Sequence, residues 1–476
     1  MCRSLLVLLL AAACARPTPA VRVALASAAR SATPTSAAPA PVGLTSFDAA
    51  PAAAIAKNDR GVALLARGKP TDAIAELEAA LAISPDFVRA RYNLACAYAR
   101  VGDFDHARAA LEAVYEADFV AIREHADQDD DLSAFWKSPQ GAALAARKPD
   151  YEARFAAAIR RGVPATIWID GAGPRGARKP SVLRVGVFDA TTSRFVAIAP
   201  PVKGAIFGYA SSRLPYAVVA TGTVADFLGG DLDAGMTLDA VHVFPIATSG
   251  VETTTLRAPS VPYFGELTMG PTGIRLQVHQ PAGPFDGPSG TAYDAIFDAP
   301  FGGATQRALF ASSAKVPPRP RDHIVSMDIG YNHWGYVVTE DDRSYVYAPK
   351  THELTLPSRR VVAIPKALAF YEAPARVVAS PSGDRVVLLW NAAVLECKHD
   401  ENIPGRYEMA LVDTKTGAVT SLGEGDGAGA AAFDASGELY VQRGKSVVLL
   451  SRVGPMPLPA HVLLVPALER DDQCGF

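Results

Sequence analysis

The segment Gly-Val-Ala-Leu-Leu-Ala-Arg-Gly at 61–68 returns 34 residues later as Ala-Cys-Ala-Tyr-Ala-Arg-Val-Gly at 95–102. Ala73 returns in the same way as Ala107, and Leu77 as Leu111. A fixed period means that each unit buries its apolar face against its neighbour, so this stretch must stack helical units. Each unit reads as two helices joined at a turn containing Gly68 or Gly102. The small residues Gly61/Ala95 and Ala73/Ala107 fall where paired helices approach closely. Pro85 ends the second helix of the first unit, because it has no N–H to continue the ladder.

This pattern, over roughly residues 54–121, resembles the tetratricopeptide repeat. The second unit departs from the family pattern at Val114, where Ala is usual, and at Phe119, where Pro is expected, so its last helix continues or ends in its own way. An amphipathic stretch from Leu132-Ser-Ala-Phe-Trp136 to about Arg161 caps the pair, with Phe135 and Trp136 in the core of that cap. The resemblance implies a peptide-binding concave face made by the first helices, carrying Asn58 from the first unit and Arg89, Tyr92 and Arg100 from the second. Two arginines and a tyrosine suit a carboxylate or an acidic peptide through charge-assisted hydrogen bonds. A solvated face, or one docked against the C-terminal domain, accounts for the same residues.

The acidic run Asp127-Gln-Asp-Asp-Asp131 invites a calcium-loop reading and fails it. The loop's sixth and twelfth positions need Gly and Glu, and here they are Leu132 and Ser138. The run instead suits a helix start, where carboxylates accept free N–H groups.

From Ala165 the helical period gives way to β-branched runs between Gly, Pro, Asp and Ser turns. Six strand-and-turn elements recur, at Arg184–Asp189, Ala240–Phe244, Ala295–Asp298, Tyr345–Tyr347, Met409–Asp413 and Val447–Leu450. A second element alternates with them, best seen as Ala379-Ser-Pro-Ser-Gly383 before Val386–Trp390 and as Phe433-Asp-Ala-Ser-Gly437 before Leu439–Val441. Its glycines Gly273, Gly330, Gly383 and Gly437 stand 57, 53 and 54 residues apart. A period of about 55 residues made of four short strands fits a propeller blade, and about 300 residues give five to six of them. The pattern resembles WD40-like propellers of the TolB type. A pair of β-sandwiches is the competing architecture.

At the N-terminus, Arg3, the apolar run Leu5–Leu10 and three alanines form a secretory signal. The run is too short to span a bilayer, which takes about 20 residues. Cys14 after Ala11-Ala12-Ala13 resembles a bacterial lipobox, with Ala11 where the family prefers Leu. That resemblance implies acylation of Cys14, and Ala15 after it implies outer-membrane sorting; the alternative is plain cleavage near Ala13. Residues 11–56 hold 19 Ala and 6 Pro in 46 positions, too few large apolar groups to order the segment, which reads as a tether.

No nucleophile elbow, zinc-protease motif or P-loop occurs, and the nine His show no metal-ligand spacing. Gly171-Ala-Gly-Pro-Arg-Gly176 fits a dinucleotide fingerprint only on paper, because a strand rather than a helix follows it. His323, Tyr331, His333 and Trp334 form the most chemically mixed stretch, and ordinary strand aromatics account for it. Cys96 reads as a small core residue, whereas Cys397 and Cys474 could pair in an oxidising compartment. A net charge of -3 lacks the basic excess that nucleic-acid binding requires.

The expected organisation is therefore multidomain, α plus all-β. A signal spans 1–14, a tether 15–53, a repeat pair with capping helices 54–161, a propeller of about six blades 164–466 and a tail 467–476. The expected role is a non-enzymatic scaffold of the cell envelope, periplasmic or outer-membrane, that binds a protein or peptide without a cofactor or metal and meets the membrane only through Cys14. The alternative is an envelope hydrolase or lyase with its active site at the propeller mouth.

Overall fold

The structure, a computed structural model, describes residues 50–464 apart from position 124 and internal segments of which 170–181, 225–235, 281–292, 311–324 and 392–405 are the longest. Cys14, Cys397 and Cys474 lie outside the described residues, as do Gly171–Gly176, His323, Tyr331, His333 and Trp334. Among the described residues no helix is long and apolar enough to cross a membrane.

The 34-residue period is realised as helices α1 (Ala52–Ala66), α2 (Pro70–Ile83), α3 (Val88–Val101) and α4 (Phe104–Ala117). Gly61 of α1 lies so near α2 that a Cβ there would come within 2.6 Å of Leu77 Cγ. Gly102 ends α3 in the left-handed region at φ 81°, which a residue with a Cβ rarely adopts, and Asp103 then caps α4 by accepting the His106 N–H at 3.2 Å. Val114 is fully buried and its carbonyl accepts the Asp118 N–H at 2.8 Å. The helix stops there, and Phe119 opens the short helix α5 (Phe119–Ile122).

Helix α6 (His125–Gln128), a 3-10 turn at Asp130–Leu132, α7 (Ser133–Trp136) and the long α8 (Pro139–Arg161) complete the helical part. Ser138 caps α8 by accepting the Gly141 N–H at 3.1 Å, and Trp136 Nε1 donates to the Ala126 carbonyl at 2.7 Å. The first half of α8 puts Leu144 and Tyr151 into the same apolar cluster as Leu111 and Phe135. Its second half puts Phe155 into another cluster, with Leu183, Val185 and Val219 of the β part. One helix thus serves two cores.

Strand β1 (Val163–Ile169) follows α8 after Gly162 and pairs antiparallel with β2 (Val182–Asp189), which forms a hairpin with β3 (Arg194–Ala197). The strand Val462–Leu464 pairs with the other edge of β1, Leu464 opposite Ala165. Four-stranded antiparallel sheets cover 205–257 and 430–457, a three-stranded one covers 346–363, and a ten-stranded sheet runs between 264 and 426. Within the ten-stranded sheet a parallel contact of Val338 and Thr339 with Arg376 and Val377 joins two antiparallel halves.

The recurring turns have side-chain causes. Asp413 Oδ1 accepts the N–H groups of Lys415 at 3.0 Å and Thr416 at 2.7 Å, and Asp434 Oδ1 accepts those of Ser436 at 2.9 Å and Glu438 at 3.0 Å. Asp189 does the same for Thr191 at 3.0 Å. A short carboxylate that ties its own backbone into a turn is enough to explain why Asp recurs at these places.

Candidate functional site

The residues expected on the repeat face sit on α1 and α3, and each has a partner within the chain. Asn58 is buried, and its Oδ1 accepts from Asn93 Nδ2 at 2.7 Å while its own amide donates to Asp59 at 3.1 Å. Arg89 lies over the Phe87 ring, 5.5 Å from its centroid, with Asp59 at 4.0 Å. These two residues work as a polar seam between α1 and α3.

Tyr92 and Arg100 meet the acidic run. The Tyr92 hydroxyl donates to Asp129 Oδ2 at 2.6 Å, and its ring lies against His125, centroids 5.3 Å apart. Arg100 Nη1 donates to the Leu65 carbonyl at 2.8 Å and lies 3.4 Å from Asp131 Oδ1. Between them the buried Cys96 thiol faces Asp129 Oδ2 at 3.7 Å. The other Asp129 oxygen accepts the Asp131 N–H at 2.9 Å, so this carboxylate caps the 3-10 turn and anchors it to α3. The acidic run therefore caps its own turn, whereas α8 takes its cap from Ser138.

The electrostatics follow from burial beside carboxylates. Burial first, then the neighbouring Cys96 and Asp129, raise the Tyr92 phenol, which stays a protonated donor. Burial, then Asp129 and Asp131, likewise raise the Cys96 thiol and keep it protonated. Asp131 is also raised: burial outweighs the pull of Arg100, and Asp129 and Asp130 add repulsion. Cys96, Asp129 and Asp131 bring one sulfur and two carboxylates within 4.8 Å of one another, a possible metal-donor set. Within the chain the Tyr92 hydroxyl donates to Asp129 and Arg100 lies beside Asp131.

What decides the nature of the helical part is the period, the glycine turns and a family match. Residues 64–121 match the tetratricopeptide-repeat family. The chain is also similar to a solved structure described as "putative TolB" from Agrobacterium tumefaciens, at 12% identity and a TM-score of 0.24, over 61% of this chain and 98% of that one. At that score the likeness carries no argument. No curated protein matches the chain.

The Tyr92–Asp129 tie links positions 37 residues apart. Neither the helical period nor the capping pattern of the acidic run reveals it. The available signal was proximity in sequence of two complementary pieces, a cationic and phenolic helix face and a run of four aspartates just after it.

Proposed function

We propose that this chain is a non-enzymatic protein-binding scaffold of the cell envelope, in which the face of α3 holds a carboxylate-bearing segment of a protein partner. The observation that carries the reading is the pair of contacts from Tyr92 to Asp129 and from Arg100 to Asp131. A face that engages two aspartates of its own chain has the donors to engage those of another. In this reading the Asp129–Asp131 turn holds the place of the partner segment and gives way to it. The β part, read from its 55-residue period as a propeller of about six blades, offers a second surface. Acylation of Cys14 places both next to a membrane.

The test is anisotropy of a labelled Asp/Glu-rich peptide titrated with the full chain and with an Asp129→Asn/Asp131→Asn double variant. The double variant binds the peptide more tightly than the unaltered chain, and adding Arg100→Gln removes that gain. Absence of binding to both proteins, or binding indifferent to Arg100, overturns the reading. Membrane fractionation of Cys14→Ala tests the anchor separately; unchanged fractionation counts against it.

A further inference from the structure

Donor atoms of three chemical kinds, from three separate elements, converge beside α3. Cys96 of α3 is 3% exposed and in no disulfide, and its Sγ faces Asp129 Oδ2 at 3.7 Å. His125 of α6 brings its Nε2 to 4.0 Å from the same oxygen. Asp131 of the 3-10 turn supplies a second carboxylate, and one donor atom each from Cys96, Asp129 and Asp131 lie within 4.8 Å of one another. An acidic turn alone is ordinary. A buried thiol and an imidazole brought to one of its oxygens are not.

The spacing is that of a coordination shell. Tetrahedral zinc holds sulfur at about 2.3 Å and nitrogen or oxygen at about 2.0–2.1 Å, which puts neighbouring donors about 3.3–3.5 Å apart. The 3.7 Å between Cys96 Sγ and Asp129 Oδ2 is close to that edge, and a small rotation of the His125 ring, on a side chain 64% exposed, closes its 4.0 Å. Hydrogen bonds from outside the set orient the ligands. The Tyr92 hydroxyl donates to Asp129 Oδ2 at 2.6 Å, and the Asp131 N–H donates to Asp129 Oδ1 at 2.9 Å. A carboxylate oxygen that accepts one such bond keeps a lone pair for an ion once the thiol proton has left. Charge agrees with this. Two half-buried carboxylates beside the guanidinium of Arg100 leave one negative charge over, with the exposed Asp130 facing solvent. A divalent ion bound to the Cys96 thiolate brings the total to zero.

We propose that Cys96, His125, Asp129 and Asp131 form a zinc site that pins the acidic turn to α3. A thiolate with an imidazole selects zinc over magnesium and calcium, which take oxygen ligands. As the Zn–S bond forms, the thiol proton passes to solvent water, and no electron changes hands. The exposed side of His125 gives the ion its way in. On the reading that a partner's carboxylates displace the turn, zinc keeps that face closed; the site itself does not depend on that reading.

Cobalt(II) in place of zinc tests the ligands, because a thiolate bound to it gives a near-ultraviolet charge-transfer band that imidazole, carboxylate and water do not. Titration of the full chain with cobalt(II) raises this band, an equal amount of zinc bleaches it, and excess magnesium or calcium leaves it in place. Cys96→Ser abolishes the band, with an unchanged circular dichroism spectrum as the check on folding. Cys2→Ser, Cys14→Ser, Cys397→Ser and Cys474→Ser retain it. His125→Ala, at an exposed position where truncation spares the core, weakens zinc binding about tenfold or more in competition with a chromophoric indicator. Asp129→Asn/Asp131→Asn does the same. Absence of the band, its survival in Cys96→Ser, or a zinc affinity indifferent to both His125→Ala and the Asp double variant overturns the proposal. No peptide enters these measurements, so the zinc site and the peptide-binding role of α3 stand or fall separately.

Discussion

Arg184 of β2 and Asp118 at the end of α4 form a two-point ion pair across the seam between the helical and β parts. Nη2 donates to Oδ1 at 3.0 Å, Nη1 donates to Oδ2, and both side chains are less than 5% exposed. Arg184 also donates to the Ala199 carbonyl, at 3.3 Å from Nε and 3.2 Å from Nη2. The guanidinium thus locks the position of β2 relative to α4. Removing one partner leaves the other charged, buried and unpaired, at a cost of about 3–5 kcal/mol. Asp118→Ala is therefore expected to lower unfolding stability by that amount in urea titration. An Asp118→Leu/Arg184→Met variant is expected to recover most of it, because a well-packed apolar pair carries no desolvation penalty.

Gly61 predicts an overpacking effect. A methyl group there collides with Leu77 Cγ at 2.6 Å, inside a core with no room to yield. Gly61→Ala should destabilise by roughly 1–3 kcal/mol even though Ala is the better helix former. The check is thermal unfolding of Gly61→Ala alone and with Leu77→Val, which restores part of the loss.

Asp189 predicts an acid dependence. Burial raises its carboxyl, but hydrogen bonds from Arg161, Thr191 and Thr192 outweigh that and hold it below the ordinary value of 3.8. A carboxyl depressed in the folded state adds stability that is complete above its unfolded pKa and is lost as pH falls through its folded pKa. Urea midpoints measured from pH 7 down to 2.5 should therefore decline below about pH 4. In Asp189→Asn that decline should be shallower, from a lower starting stability.

Tyr92 predicts a local effect at the acidic turn. Tyr92→Phe removes the donor to Asp129 and keeps the ring against His125, so the packing survives and the carboxylate loses its buried anchor. A hydrogen bond to a charged group contributes about 1.5–3 kcal/mol. Amide exchange of Asp131 and Leu132 should accelerate, while exchange within α1 and α2 stays near that of the unaltered chain.

The helical part was legible because its determinants are local and repeated. Gly68 and Gly102, the small residues at Gly61 and Ala73, and the apolar spacing all act within one or two turns. The Asp-led turns at Asp413 and Asp434 were legible for the same reason, since each carboxylate ties up N–H groups two to four residues away. What joins one hairpin to the next is not encoded locally. The contact of Val338 and Thr339 with Arg376 and Val377, which links two halves of the ten-stranded sheet, has no motif at either end. The Arg184–Asp118 pair spans 66 residues and looks in the sequence like two ordinary surface charges. The Tyr92–Asp129 tie is hidden in the same way.

The pairing of Leu464 with Ala165 gives the β part a timetable. A strand formed as the chain leaves the ribosome keeps one edge bare until a partner some 300 residues later arrives. At about 5–20 residues per second that wait lasts roughly 15–60 s. Throughout it, β1 offers unpaired N–H and C=O groups to any passing extended chain. A helper that shields this edge during synthesis would act before the protein is complete, and would have no foothold on it afterwards.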